Sequence, residues 1–245
     1  MDGERALRDA SGRWKLDLRT RALETLRTRG TVPVFPLPDL VFFPHAALPL
    51  HIFEPRYRQM TEEALRGDRL IAMALLKPGW DRGYDGSPEV FPMACAGLIE
   101  EEARLPDGRF NIRLRGVARV EVLSFERETP YRVARVRVLD DRNEVDGPGV
   151  EEDKKRLFAS CAGLLQEISG RVSQPLALDS DIPFAAVVNT LCQSLAMELP
   201  LKMALLGLDD VRERCRLLIR VLEERWRDIA LSQAARRDPD GEDVH

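Results

Sequence analysis

Residues 31–60 read TVPVFPLPDLVFFPHAALPLHIFEPRYRQM. Two short apolar runs, 32–35 and 47–53, have the length and residue types of strands, and a proline-rich connection joins them. The second runs straight into a helix over 54–66. Glu54 stands at its cap. Pro55 takes the first helical position, where its missing N–H leaves nothing unsatisfied. Tyr57, Met60, Thr61 and Ala64 then recur at helical spacing, and Gly67 is placed to end the helix as its C′ residue.

Outward from this segment the β signal continues. The run at 69–77, RLIAMALLK, is apolar without alternation, the mark of a strand buried on both faces. Residues 78–88 are a loop rich in Gly, Asp and Pro, and 89–105 hold a long strand. Leu105-Pro106-Asp107-Gly108 is a turn, since Pro presets φ and Gly accepts φ > 0. Phe110, Ile112 and Leu114 alternate with Asn111, Arg113 and Arg115 in one strand. Val120 and Val122 alternate with Arg119 and Glu121 in the next. Tyr131 and Val133 share one parity while Ala134, Val136 and Val138 take the other, which predicts a bulge near Val133. Many short strands with one inserted helix predict a closed or nearly closed barrel over 31–140.

At 141–149, DRNEVDGPG, the composition is that of a linker. Beyond it the period becomes helical. Leu157, Phe158, Cys161, Leu164, Leu165 and Ile168 form one apolar face behind an acidic first turn. Phe184, Val187, Val188, Leu191 and Leu195 form a second. A short helix follows over 200–207. Asp209 or Asp210 then caps a long helix with Val211, Cys215, Leu218, Leu222, Trp226 and Ile229 on one stripe. The helical part is expected over 150–232, with a disordered polar tail over 233–245. Residues 1–30 are an Arg-rich extension, helical from 19 to 29 and ended by Gly30, acting as a docking arm or a frayed tail.

Composition narrows the function. The hydrophobic fraction of 44% is ordinary for a globular protein. Net charge is −4 from 37 basic and 41 acidic residues, which argues against a dedicated nucleic-acid binder. No apolar run has the length of a membrane span, and the N-terminus has no secretory h-region. Cys95, Cys161, Cys192 and Cys215 form no C-x-x-C pair and have only three histidines to help them. They are expected to be free thiols of a cytoplasmic protein, with neither metal nor disulfides.

The pieces FPLP (35–38), FP (43–44) and PLHIFEPRY (49–57) resemble the opening of the N-terminal domain of Lon-type ATP-dependent proteases, and of the small stand-alone proteins built on it. The LPDG hairpin, LPLK at 199–202 and LDDVRERCRLLIRVLEERW at 208–226 extend the likeness over about 31–230. Gly116 and Arg119 match the family's G-x-x-R, whereas Arg115 stands where a glutamate commonly precedes that glycine. The resemblance implies an α+β protein: a PUA-like β-barrel with one inserted helix, followed by an α-helical subdomain. It implies a non-enzymatic module that binds unfolded or client polypeptide, without a cofactor, as an adaptor for an ATP-dependent protease or quality control.

The residues agree on the absence of catalysis. There is no G-x-x-x-x-G-K-[ST] phosphate loop, no G-x-S-x-G elbow and no H-E-x-x-H. His45 and His51 have no Cys or carboxylate cluster beside them in sequence, so a metal is not expected. Phe42 and Phe43 precede Pro44, and one of two neighbouring strand residues must face outward. With His45, Glu54, Arg56 and Tyr57 they make the expected polypeptide-binding site. The alternative gives Glu54 to the helix cap, Arg56 to a carboxylate and Tyr57 to the barrel, with the phenylalanines in the core. Arg113, Arg115, Arg119, Arg135 and Arg137 lie on the polar parities of successive strands. They would suit RNA or another polyanion, though without aromatic interleaving for base stacking. Self-association through the helices is a third reading.

Overall fold

The structure is a computed structural model, described over residues 13–83, 87–143, 147–169 and 182–237. The chain divides into two compact units. One comprises Met1–Asp140 and Asn189–Gly207, the other Asp141–Val188 and Leu208–His245. The helical part is thus shared between the units, because 189–207 group with the barrel.

The first unit contains α1 (Arg13–Arg29), β1 (Thr31–Leu37), β2 (Ala47–Ile52), α2 (Pro55–Arg66), β3 (Leu70–Leu76), β4 (Val90–Arg104), β5 (Phe110–Arg127) and β6 (Arg132–Leu139). Sheet order is β2-β5-β4-β3-β1-β6, and β6 also pairs with β5. Five strands therefore close into a ring, and β2 is appended to it along β5. The β1–β3 pair is parallel, Val34 opposite Ala72, with β2 and α2 between them in sequence. All seven residues of β3 are buried, as its unbroken apolar run requires.

The interior of this small ring is narrow, so its strands carry alanine: Ala72, Ala74, Ala94, Ala96, Ala118 and Ala134 pack with Val32, Val34, Leu70 and Val120. The α1 helix begins at Arg13, six residues before its expected start, and belongs to this core through Ala22 and Leu26. It ends at Gly30, whose φ of 67° is left-handed and whose N–H reaches the Leu26 carbonyl at 2.9 Å. The arm is docked.

Three local expectations change. The strands expected around 110–115 and 119–122 are one 18-residue strand, β5. Its alternation breaks at Gly116–Ala118, where the register against β4 shifts, and that break mimics a turn in the sequence. The bulges near the β6 phase change lie in β5, between Val122 and Ser124 and between Phe125 and Arg127. Tyr131 precedes β6 rather than sharing its pleat. Gly67 is not left-handed (φ −106°). Arg69 takes that role at φ 63°, with its N–H on the Ala64 carbonyl.

The second unit contains α3 (Val150–Ser169), the start of α4 (Phe184–Ser194) and α6 (Val211–Arg237). α5 (Leu199–Gly207) belongs to the first unit. Leu157, Cys161 and Leu164 of α3 are buried, as are Val211, Cys215, Leu218 and Leu222 of α6. The α3 and α6 helices exchange Arg156–Glu223 at 3.0 Å and Arg212–Asp153 at 2.6 Å. Asp210 is the α6 cap: Oδ1 accepts the Arg212 N–H at 2.8 Å and the Glu213 N–H at 3.3 Å. The helix continues to Arg237, five residues into the expected disordered tail, and 238–245 lie outside the described residues. Within 141–149, residue 142 is held by backbone bonds to Asp209 and Val211, so the linker begins as ordered chain.

Candidate functional site

The expected outward phenylalanine is not found. Phe42 is 1% exposed and Phe43 0%. The segment 38–46 is not a strand, so neighbouring residues need not face opposite ways. Two glycines explain the burial. Gly97 and Gly116 are paired across β4 and β5. A Cβ on Gly97 would lie 2.9 Å from Phe42 Cε1. A Cβ on Gly116 would collide with the Phe43 carbonyl and sit 2.8 Å from Pro44 Cα. The loop therefore lies flat on bare backbone. His45 closes it with φ 64°, its N–H reaching the Gly116 carbonyl at 2.8 Å, while Arg115 donates to the His45 carbonyl at 3.0 Å. Phe42 and Phe43 are core residues of this loop, and His45 fixes its end on β5.

Glu54, Arg56 and Tyr57 are brought together at the start of α2. Glu54 is the cap residue by position, and its backbone carbonyl accepts from Tyr57 and Arg58. Its side chain makes no capping bond; it accepts from Arg56 Nε at 2.9 Å. The Arg56 guanidinium lies 4.7 Å from the centre of the Tyr57 ring. Tyr57 is buried and packs at a tilt on Phe35 of β1, the ring centres 4.2 Å apart. Its ring anchors α2 to the barrel.

The arginine face is not an open basic surface. Arg113 pairs with Glu101, and Arg115 with Glu100 at 3.1 Å. Arg135 pairs with Glu126, and Arg137 with Glu121. Arg119 is 2% exposed and donates to the carbonyls of Leu206 at 3.3 Å and Asp140 at 3.0 Å. Its polar parity in sequence misleads, because Ala118 and Val120 take the core side while Arg119, on the other side, is buried against the Leu206 and Asp140 backbone.

Sequence reasoning passed over Phe53. It follows β2 and leaves its ring 60% exposed, beside His51 at 6.3 Å between centroids. His51 Nδ1 lies 2.7 Å from Asn111 Oδ1, and Nε2 lies 3.2 Å from Arg109 Nη1. Arginine can only donate, so Nε2 accepts and Nδ1 carries the proton. Both ring nitrogens are thereby engaged. Among the described residues no group of three His, Cys, Asp or Glu is placed to hold a metal. The signal for Phe53 was its parity: Pro49, His51 and Phe53 share the solvent side of an edge strand.

A groove of about 490 Å³ also opens on the barrel unit, with Pro33, Ala64 and Val133 among its lining. Arg29 pairs with Asp68 at 2.6 Å on one side, and the Tyr131 hydroxyl donates to Glu63 on another. That bond, helped by Gln59, holds the Glu63 carboxyl below its ordinary value, while burial pushes the Tyr131 hydroxyl up. No helix among the described residues is long and apolar enough to cross a membrane.

The comparisons with known proteins point one way. The chain is 26% identical over 218 residues to the Lon protease of Brucella abortus, covering 87% of the chain and 26% of that protein. It is 27% identical over 139 residues to the Lon protease of Dictyoglomus thermophilum, covering 56% and 17%. It thus spans about a quarter or less of these relatives. Two solved structures share the fold. The Lon N-terminal domain protein from Xanthomonas campestris has a TM-score of 0.52 at 22% identity, covering 77% of this chain and 96% of its own. The N-terminal domain of Mycobacterium avium complex Lon protease gives 0.57 at 16%, covering 79% and 98%. Residues 31–224 match the family described as the ATP-dependent protease La (LON) substrate-binding domain. The chain is a member of the Lon substrate-binding domain family.

Proposed function

We propose that this protein is a non-enzymatic polypeptide-binding module of the cytoplasm that presents unfolded or client chains for proteolysis or quality control. The match of residues 31–224 to a substrate-binding domain carries the reading. Phe53 supports it from the structure. A large ring left 60% exposed just after the end of β2 offers contact area with few rotamers to lose. Glu54 and Arg56 supply a polar rim beside it.

The rival, RNA or polyanion binding through the barrel arginines, is disfavoured by the pairing of Arg113, Arg115, Arg135 and Arg137 with glutamates. Fluorescence anisotropy with a labelled, permanently unfolded protein tests the proposal. Phe53→Ala is expected to weaken binding by about 1–2 kcal/mol with an unchanged melting temperature. Absence of any binding by the wild-type chain would overturn the reading. Tighter binding of RNA, falling steeply with salt, would replace it.

A further inference from the structure

Beside the first turn of α2 is a small cleft of about 30 Å³, room for roughly two waters or one carboxylate head. Arg56, Tyr57, Glu128, Pro130 and Arg132 are among its walls. Arg132 is the unusual member. It is the first residue of β6 and only 6% exposed. Its guanidinium lies 5.2 Å from the Phe125 ring centre. Yet it donates no hydrogen bond to any described residue; Glu128 acts on it only through space. A guanidinium this enclosed ordinarily has its donors filled by protein groups; those of Arg132 keep their contact with solvent instead. Burial accordingly pushes the Arg132 pKa down, and the nearby Arg56 charge adds to the same effect.

The surroundings favour negative charge. Two guanidinium side chains and one carboxylate, Glu128, line the cleft, and with Arg56 already paired to Glu54 at 2.9 Å the positive charge left to offer is that of Arg132. The cleft also adjoins the N-terminus of a 12-residue helix, whose dipole carries partial positive charge there. Flat guanidinium donors match a carboxylate in geometry as well as charge.

We propose that the cleft between Arg132 and Arg56 is a carboxylate-binding site, filled by a single acidic group of a bound polypeptide. The group comes from an Asp or Glu side chain or from a chain's terminal carboxylate. The polypeptide source rests on the function proposed above; the site itself does not. Its small volume admits the head of the group and leaves the rest of the ligand outside, toward Glu54 and Arg56.

The test uses the full chain and three labelled twelve-residue peptides of Gly, Ser, Asn and Leu. One is amidated with a single internal Glu, one is a free acid with no other carboxylate, and one is neutral. Anisotropy is expected to show either carboxylate peptide binding about tenfold or more tighter than the neutral one. Whichever binds identifies the source. The preference should vanish in Arg132→Gln and shrink in Arg56→Gln, with melting curves of both variants reading out the fold separately. In parallel, sodium acetate should raise the melting temperature of the wild-type chain above sodium chloride at equal ionic strength, and fail to do so in Arg132→Gln. Equal binding of all three peptides, or a preference untouched by both substitutions, overturns the site while leaving polypeptide binding standing. An acetate effect specific to Arg132 without any peptide binding keeps the site and overturns the polypeptide reading. Absence of both effects overturns the site.

Discussion

The Phe43 carbonyl oxygen rests on Gly116 so closely that residue 116 has no room for a methyl group. The opposing atoms are backbone, which cannot swing away as a side chain end would. Gly116→Ala is therefore expected to destabilise the barrel by about 3 kcal/mol or more, at or above the upper end of overpacking. Gly147→Ala, with nothing within 4 Å of the added carbon, should change stability by under about 0.5 kcal/mol. Urea denaturation of the two variants makes the comparison.

Phe42→Ala and Phe43→Ala should both lose about 3–5 kcal/mol, the range for an aromatic side chain removed from a core. Phe53→Ala should lose less than about 1 kcal/mol. A large difference between the first two would mean that one ring faces solvent. Melting curves of the three variants decide.

This pair marks the limit of what was legible. The ring of strands, α2, the LPDG turn and the α6 stripe all announce themselves through local period and turn chemistry. The burial of two adjacent phenylalanines does not, because its cause lies 55 residues from Phe42, at Gly97, and 73 from Phe43, at Gly116. Arg119 misled for a related reason. Val120 takes the core side as its parity expects, and Arg119 stands on the other side, where Asp140 and Leu206, 21 and 87 residues away, bury it. Phe53 was readable by parity but was overlooked beside the more conspicuous Phe42-Phe43 pair. Arg132 could not be singled out, since an unfilled guanidinium is a property of packing.

Arg119 reaches two backbone carbonyls from a buried position. Arg119→Met keeps the stem and strips both of their donor, so a loss of roughly 2–5 kcal/mol is expected. Arg119→Lys should recover only part, since one ammonium cannot copy the guanidinium fork. Chemical denaturation of both variants, at constant m-value, gives the answer.

Stability should also respond to acid through Glu63. Its carboxyl is held below the ordinary 4.5, chiefly by the Tyr131 hydroxyl. The unfolded chain therefore binds the proton first as pH falls. The stabilisation is full above the unfolded value and is lost as pH drops through the folded one. Tyr131→Phe should flatten stability against pH below about 5 and leave the profile at pH 7 to 8 unchanged in shape. A parallel loss at every pH would assign the hydroxyl a purely packing role.

The alkaline side belongs to the thiols of the second unit. Burial pushes Cys161 to about 11 and Cys215 to about 12, from an ordinary 9.0. The unfolded chain ionises first here, so their contribution is full below pH 9 and falls as pH rises through the folded values. A thiolate-directed reagent at pH 8 should leave both untouched in the native state and label them only at the rate of unfolding. Rapid labelling of either without denaturant would place that sulfur at the surface.

Pro49 sits in β2, the outermost strand of the sheet, and proline has no N–H to offer a further strand. The edge beside Phe53 is therefore poorly suited to zipping a visiting chain on by its main chain. A visitor held there is gripped by side chains, whatever its sequence, and can slip off without unthreading a ladder. Under the role proposed above, in which a client is handed on for proteolysis, brief residence is an advantage. The same missing donor that spoils the strand keeps two copies of this barrel from sealing edge to edge as they crowd during synthesis.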